Sequence, residues 1–133
     1  MRLACLNAGC KLASNLDLEA FLEDAVDVHW DMLFVTEFCA WSDSLCLDTC
    51  TVQGYTVFKH YPGEGSHCLA FVVCNSILPS VASVHFLGRA GIVALRIANS
   101  QFPLSVVGLH GAHSEEITQS LSGVAQLLRS ATN

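Results

Sequence analysis

The segment Asp31-Met32-Leu33-Phe34-Val35-Thr36-Glu37 constrains this chain more than any other. Its apolar residues run on without polar alternation, so it reads as a strand buried on both faces, the kind that helices flank in α/β sheets. The run stops at a carboxylate, and an isolated carboxylate entering a core costs on the order of several kcal/mol unless it is paired, protonated or metal-bound. Arg2-Leu3-Ala4-Cys5-Leu6-Asn7 is a second apolar strand that also ends on a polar residue. Between the two, Ser14-Asn15-Leu16-Asp17 has the form of a helix-capping box, and Leu18, Phe21, Leu22, Ala25 and Val26 recur at helical spacing. A strand, helix, strand unit favours a right-handed crossover with parallel strands, which sets Asn7 and Glu37 at one sheet edge. Each residue has a plainer reading: Glu37 as a solvated side chain at a loop junction, and Asn7 beside Gly9 as a turn residue bonded to its own backbone.

At 133 residues and 52% hydrophobic, the chain has the length of one domain, residues 1–133, with ample material for a core. No apolar run reaches the roughly 18 residues of a membrane span. The N-terminus lacks the basic, apolar and small-residue pattern of a secretory leader, so a soluble intracellular chain is expected. Six basic against twelve acidic residues give a net charge of −6, which argues against broad gripping of nucleic-acid phosphates. A localised, metal-assisted phosphate site escapes that objection. Seven cysteines, an odd number without a leader, argue against a complete disulfide framework. Cys39, Cys46 and Cys50 with His60, His67 or Cys68 outline a zinc alternative, although no CxxC pair is present. Cys5 and Cys74, inside apolar runs, suit buried thiols.

Further strands are expected at Tyr55–Lys59, Cys68–Cys74, Ile92–Ile97 and Leu104–His110, with a weaker one at Val81–Leu87. Pro62 to Ser66 separates the first two of these and Asn99 to Pro103 the last two, and both pairs are expected to be antiparallel. Trp41 to Gln53, polar and rich in Ser, Asp and Cys, reads as a loop. Ser114 caps a final helix with Glu115 and Glu116 in its first turn, followed by Ile117, Leu121, Val124 and Leu128.

Asn7 after an opening strand, the amphipathic helix, Asp31 through Glu37, Gly54-Tyr55, Cys68 to Cys74, Arg89 and the strand Leu104 to His110 follow one another in an order that resembles a known family. It is the N-terminal half of the endonuclease/exonuclease/phosphatase superfamily, the deoxyribonuclease I-like enzymes. The resemblance implies an α/β fold, half of a four-layer α/β/β/α sandwich, with one mixed, mostly antiparallel sheet and two helices packed on one face. It implies a fragment of a divalent-metal-dependent phosphoesterase, an endonuclease or phosphodiesterase whose substrate is a phosphoester, nucleic acid among the candidates. Glu37 resembles the ligand of a catalytic Mg2+ (or Mn2+), and Asn7 the catalytic asparagine that organises the metal and binds phosphate. Such a hard cation takes oxygen ligands, typically one or two carboxylates beside waters and substrate phosphate.

His110 is similar in placement to the catalytic histidine beside the scissile phosphate, with His113 as the other candidate of the pair. A histidine titrating near neutrality suits proton donation to a leaving oxygen. Arg89 is read as a phosphate contact or as a strand terminator. Glu37, Asn7 and His110 are expected to gather at one edge of the sheet. The superfamily's second half supplies a Gly-Asp-x-Asn segment and a terminal aspartate-histidine pair, and neither occurs in this sequence. The isolated chain is therefore expected to be inactive, with an exposed apolar sheet face open to self-association or a partner. A non-catalytic interaction module using that face, and a small cysteine-based metal-binding protein, are the alternatives.

Overall fold

The computed structural model describes residues 1–9, 20, 21, 23, 30–37, 49–52, 54–60, 68–96, 101, 104–110, 121–126, 128 and 129. They form eight strands: β1 (Leu3–Asn7), β2 (Met32–Thr36), β3 (Thr49–Val52), β4 (Tyr55–His60), β5 (Leu69–Cys74), β6 (Val81–Leu87), β7 (Ala90–Leu95) and β8 (Leu104–Leu109). Residues 20, 21, 23, 121–126, 128 and 129 are helical. The chain divides into two compact units, Met1–Leu78 and Pro79–Asn133.

The first unit holds a five-stranded sheet in the order β1-β2-β5-β4-β3. β1 and β2 are parallel, as the strand, helix, strand pattern requires, and the other pairs are antiparallel. Leu33, Val35, Val57, Ala70 and Val72 line one face together with Ala8. Ala4, Leu6, Tyr55, Cys68 and the helical Phe21 pack against this cluster. The Phe21 ring stacks on Trp30 at 5.8 Å between centroids, 6° from parallel. On the opposite face Phe34 lies directly across from Phe71, their ring centroids 5.0 Å apart.

Every residue of β2 and of β5 is buried. The expectation of an exposed apolar sheet face is thereby corrected for these two strands, because Met32, Phe34, Leu69, Phe71 and Val73 are as well covered as the residues facing Phe21. Residues 49–52, expected to belong to a loop, form β3 instead. Thr49, Thr51 and Val52 are β-branched and pair with β4 across a tight turn at Gly54, whose φ of 81° suits a residue without a β-carbon.

The second unit is a separate three-stranded antiparallel sheet, β6-β7-β8. The expected single sheet is thus two. In the first sheet β5 is flanked by β2 and β4, and β6, β7 and β8 satisfy one another as a meander. Gly88-Arg89 joins β6 to β7 in a two-residue hairpin with Leu87 opposite Ala90. Gly88 has φ 57° and Arg89 does not enter the positive region, the pattern of a II′ turn with glycine first. This turn starts β7 at Ala90, two residues before the apolar run suggests, since Ala90 and Gly91 have little strand propensity of their own. Gly123, within helical residues 121–126, lies against Leu87 of β6: an added β-carbon would stand 3.3 Å from the leucine Cδ2. Residues 10–19 and 111–120, which include both expected helix starts, lie outside the described residues.

Candidate functional site

Parallel pairing sets Asn7 opposite Thr36, and the Ala8 N–H donates to the Thr36 carbonyl at 2.9 Å. Glu37 follows immediately. Asn7 and Glu37 therefore meet at one end of the five-stranded sheet, as the sequence predicts. Asn7 forms the turn that its spacing from Gly9 suggests: its Oδ1 accepts the Gly9 N–H at 2.9 Å. This fixes the amide oxygen in place and leaves one of its two lone pairs for another partner.

Glu37 has a φ of 51°, and among the described residues it is the one non-glycine in the left-handed region. A β-carbon there clashes with the following carbonyl, costing roughly 1–2 kcal/mol. Its side chain is half-buried. The sequence signals the carboxylate but not its backbone, because nothing in the residue type Glu calls for a positive φ.

His60 is a residue that the sequence raises only as a zinc alternative. β4 ends at His60 opposite Leu69, at the end of the sheet where β1 and β2 also stop. Alternation puts its side chain on the same sheet face as that of Asn7. Three interstrand spacings separate Asn7 from His60, roughly 14 Å, which is too far to share one cation with it. Strand periodicity alone cannot reveal this neighbour, since it depends on which strands pair.

Arg89 and His110 belong to the second sheet, so the edge expected to carry Glu37, Asn7 and His110 together carries Asn7 and Glu37. Within the second unit these two residues are neighbours: the His110 N–H donates to the Arg89 carbonyl at 3.0 Å, just beyond the pairing of Ala90 with Leu109. Both are half-buried. His113 lies outside the described residues, as do Cys39, Cys46 and His67, while Cys50 is described through its backbone pairing. Cys74 is buried as expected and Cys68 half-buried, whereas Cys5, expected to be a buried thiol, is exposed on the outermost strand β1.

Among the described residues no group of three or more His, Cys, Asp or Glu side chains gathers as metal ligands. An arrangement with one carboxylate and one amide oxygen remains compatible with Mg2+, which keeps most of its waters. At the opposite end of β4, burial raises the pKa of Tyr55 above its ordinary value. Cys74 and Asp31 push in the same direction, and a backbone hydrogen bond with Trp30 opposes them. No helix among the described residues is long and apolar enough to cross a membrane. Compared with family models, with curated proteins and with solved structures, the chain finds no match in any of the three.

Proposed function

We propose that this chain is part of a divalent-metal-dependent phosphoesterase that cleaves phosphodiester bonds. The observation that carries the reading is the left-handed backbone of Glu37. Strain of that kind persists where the surrounding structure over-determines it, and it concentrates at ligand sites. Glycine would relieve it, so the presence of a glutamate there is best explained by what its carboxylate does. Asn7, held by the Gly9 N–H, adds a neutral oxygen beside it.

In this reading Glu37 and Asn7 hold Mg2+ or Mn2+, which would supply charge neutralisation at a phosphoryl oxygen. Arg89 binds phosphate oxygens through its guanidinium. His110 hydrogen-bonds a phosphoryl oxygen or gives a proton to the leaving oxygen. With Glu37 assigned to the metal and His110 to the phosphoryl or leaving oxygen, none of the four is left to orient an attacking water as base, so the chain alone should turn over slowly if at all. Titration with Mn2+ followed by its paramagnetic resonance signal tests the metal assignment. Glu37→Gln keeps the β-carbon and the backbone while removing the charge, and it should weaken binding at least tenfold. Equal affinities for wild type and Glu37→Gln refute the proposal.

A further inference from the structure

β8 is an outer strand, and among the described residues nothing pairs with its free edge. Its residues Leu104, Val107 and Leu109 are 40%, 39% and 37% exposed. The opposite edge strand, β6, is blunted by a register shift between Val81 and Ser83, the kind of bulge that discourages edge pairing. β8 has no such protection. Leu104-Ser105-Val106-Val107-Gly108-Leu109 contains no charge and no proline, and its register with β7 is unbroken.

The bond from the His110 N–H to the Arg89 carbonyl fixes the phase of the strand. Hydrogen bonding alternates along an antiparallel pair, so Leu104, Val106 and Gly108 turn their backbone groups to β7. Ser105, Val107 and Leu109 then aim theirs outward, and all three are exposed.

We propose that a second copy of this chain docks antiparallel on this edge, Val107 against Val107 of the second copy on a two-fold axis. Ser105 then pairs with Leu109 of the second copy, and Leu109 with Ser105 of the second copy. All the outward groups are satisfied, by about six backbone hydrogen bonds. Two three-stranded sheets become one six-stranded sheet.

A two-fold contact demands a self-complementary patch, and three outward residues at even spacing centred on Val107 provide one. Charge does not oppose the contact locally. A chain of net charge −6 repels its copy, yet β8 brings no charged residue to the axis. The side chains of Ser105, Val107 and Leu109 share one sheet face, so valine meets valine across the axis and leucine flanks each side. The proposal does not depend on any metal at Glu37.

Cysteine cross-linking tests the register. Val107→Cys sets two thiols on residues whose Cα atoms are about 5.5 Å apart in the dimer, within disulfide reach. Ser105→Cys lies about 13 Å from its equivalent, four residues along the strand, and out of reach. Under mild oxidation with copper phenanthroline, peptide mapping should find the intermolecular bridge at residue 107 and none at residue 105. Sedimentation velocity of the native chain should show a monomer–dimer equilibrium that tightens with added salt, and Val107→Lys should weaken it at least tenfold. A chain that stays monomeric, or cross-linking at residue 105 as efficient as at residue 107, overturns the proposal.

Discussion

Replacing Glu37 by glycine should make the chain more stable, and the size of the gain follows from its backbone. At φ 51° a β-carbon costs roughly 1–2 kcal/mol, which glycine recovers. Glycine gives back about 0.5–1 kcal/mol because its unfolded chain has more freedom to lose. The net gain is about 0.5–1 kcal/mol relative to Glu37→Ala, which also lacks the carboxylate but keeps the β-carbon. With a urea dependence of about 2 kcal/mol per molar, the midpoint for Glu37→Gly should lie roughly 0.4 M above that for Glu37→Ala. The thermal midpoint should lie about 3 °C higher. Urea unfolding followed by far-ultraviolet circular dichroism measures the difference. A Glu37→Gly midpoint equal to or below that of Glu37→Ala refutes the claim of stored strain. If the same variant also fails to bind Mn2+, the strain is stability exchanged for a functional carboxylate.

Phe71 is fully buried, with its ring centroid 5.0 Å from that of Phe34, and Phe71→Ala should cost about 3–5 kcal/mol in urea unfolding. A loss below about 1 kcal/mol contradicts the packing described for that face. Tyr55 titrates above its ordinary value when folded, so the stability it contributes is complete below about pH 10 and is lost as pH rises through the raised value. Tyr55→Phe should therefore lose stability less steeply than wild type above that pH. A wild-type minus variant difference that stays constant through alkaline titration excludes the linkage.

The strands were legible where the pattern is local. β2 and β5 are unbroken apolar runs, and both are buried throughout. The parallel pairing of β1 with β2 follows from what separates them, a helical pattern long enough for a crossover. The pairing of β2 with β5 was hidden, because it joins residues more than thirty positions apart and no local periodicity specifies it. The separation into two sheets and the placement of His60 at the same end of the sheet as Asn7 were hidden for the same reason. β3 escaped notice because only four residues carry the strand signal, directly after a polar stretch. At the candidate site, residue identity pointed to Glu37 and Asn7, but the left-handed turn at Glu37 is a property of the folded backbone.

Complete burial leaves β2 and β5 with a problem of alignment. In a half-exposed strand, a slip of one residue throws the apolar side chains into water, and that penalty fixes the register. A strand apolar on both faces pays no such penalty in its middle, since either side accepts leucine, valine or phenylalanine. Alignment must then come from its ends. At one end the Asp31 carbonyl accepts the Cys74 N–H at 2.8 Å, and the Asp31 carboxylate accepts the Arg2 N–H at 2.6 Å. At the other end stands Glu37. Sliding β2 by one position in either direction would drag one of these two carboxylates into the apolar interior, so the charges bracket the strand as stops against which its five apolar and threonine residues are indexed.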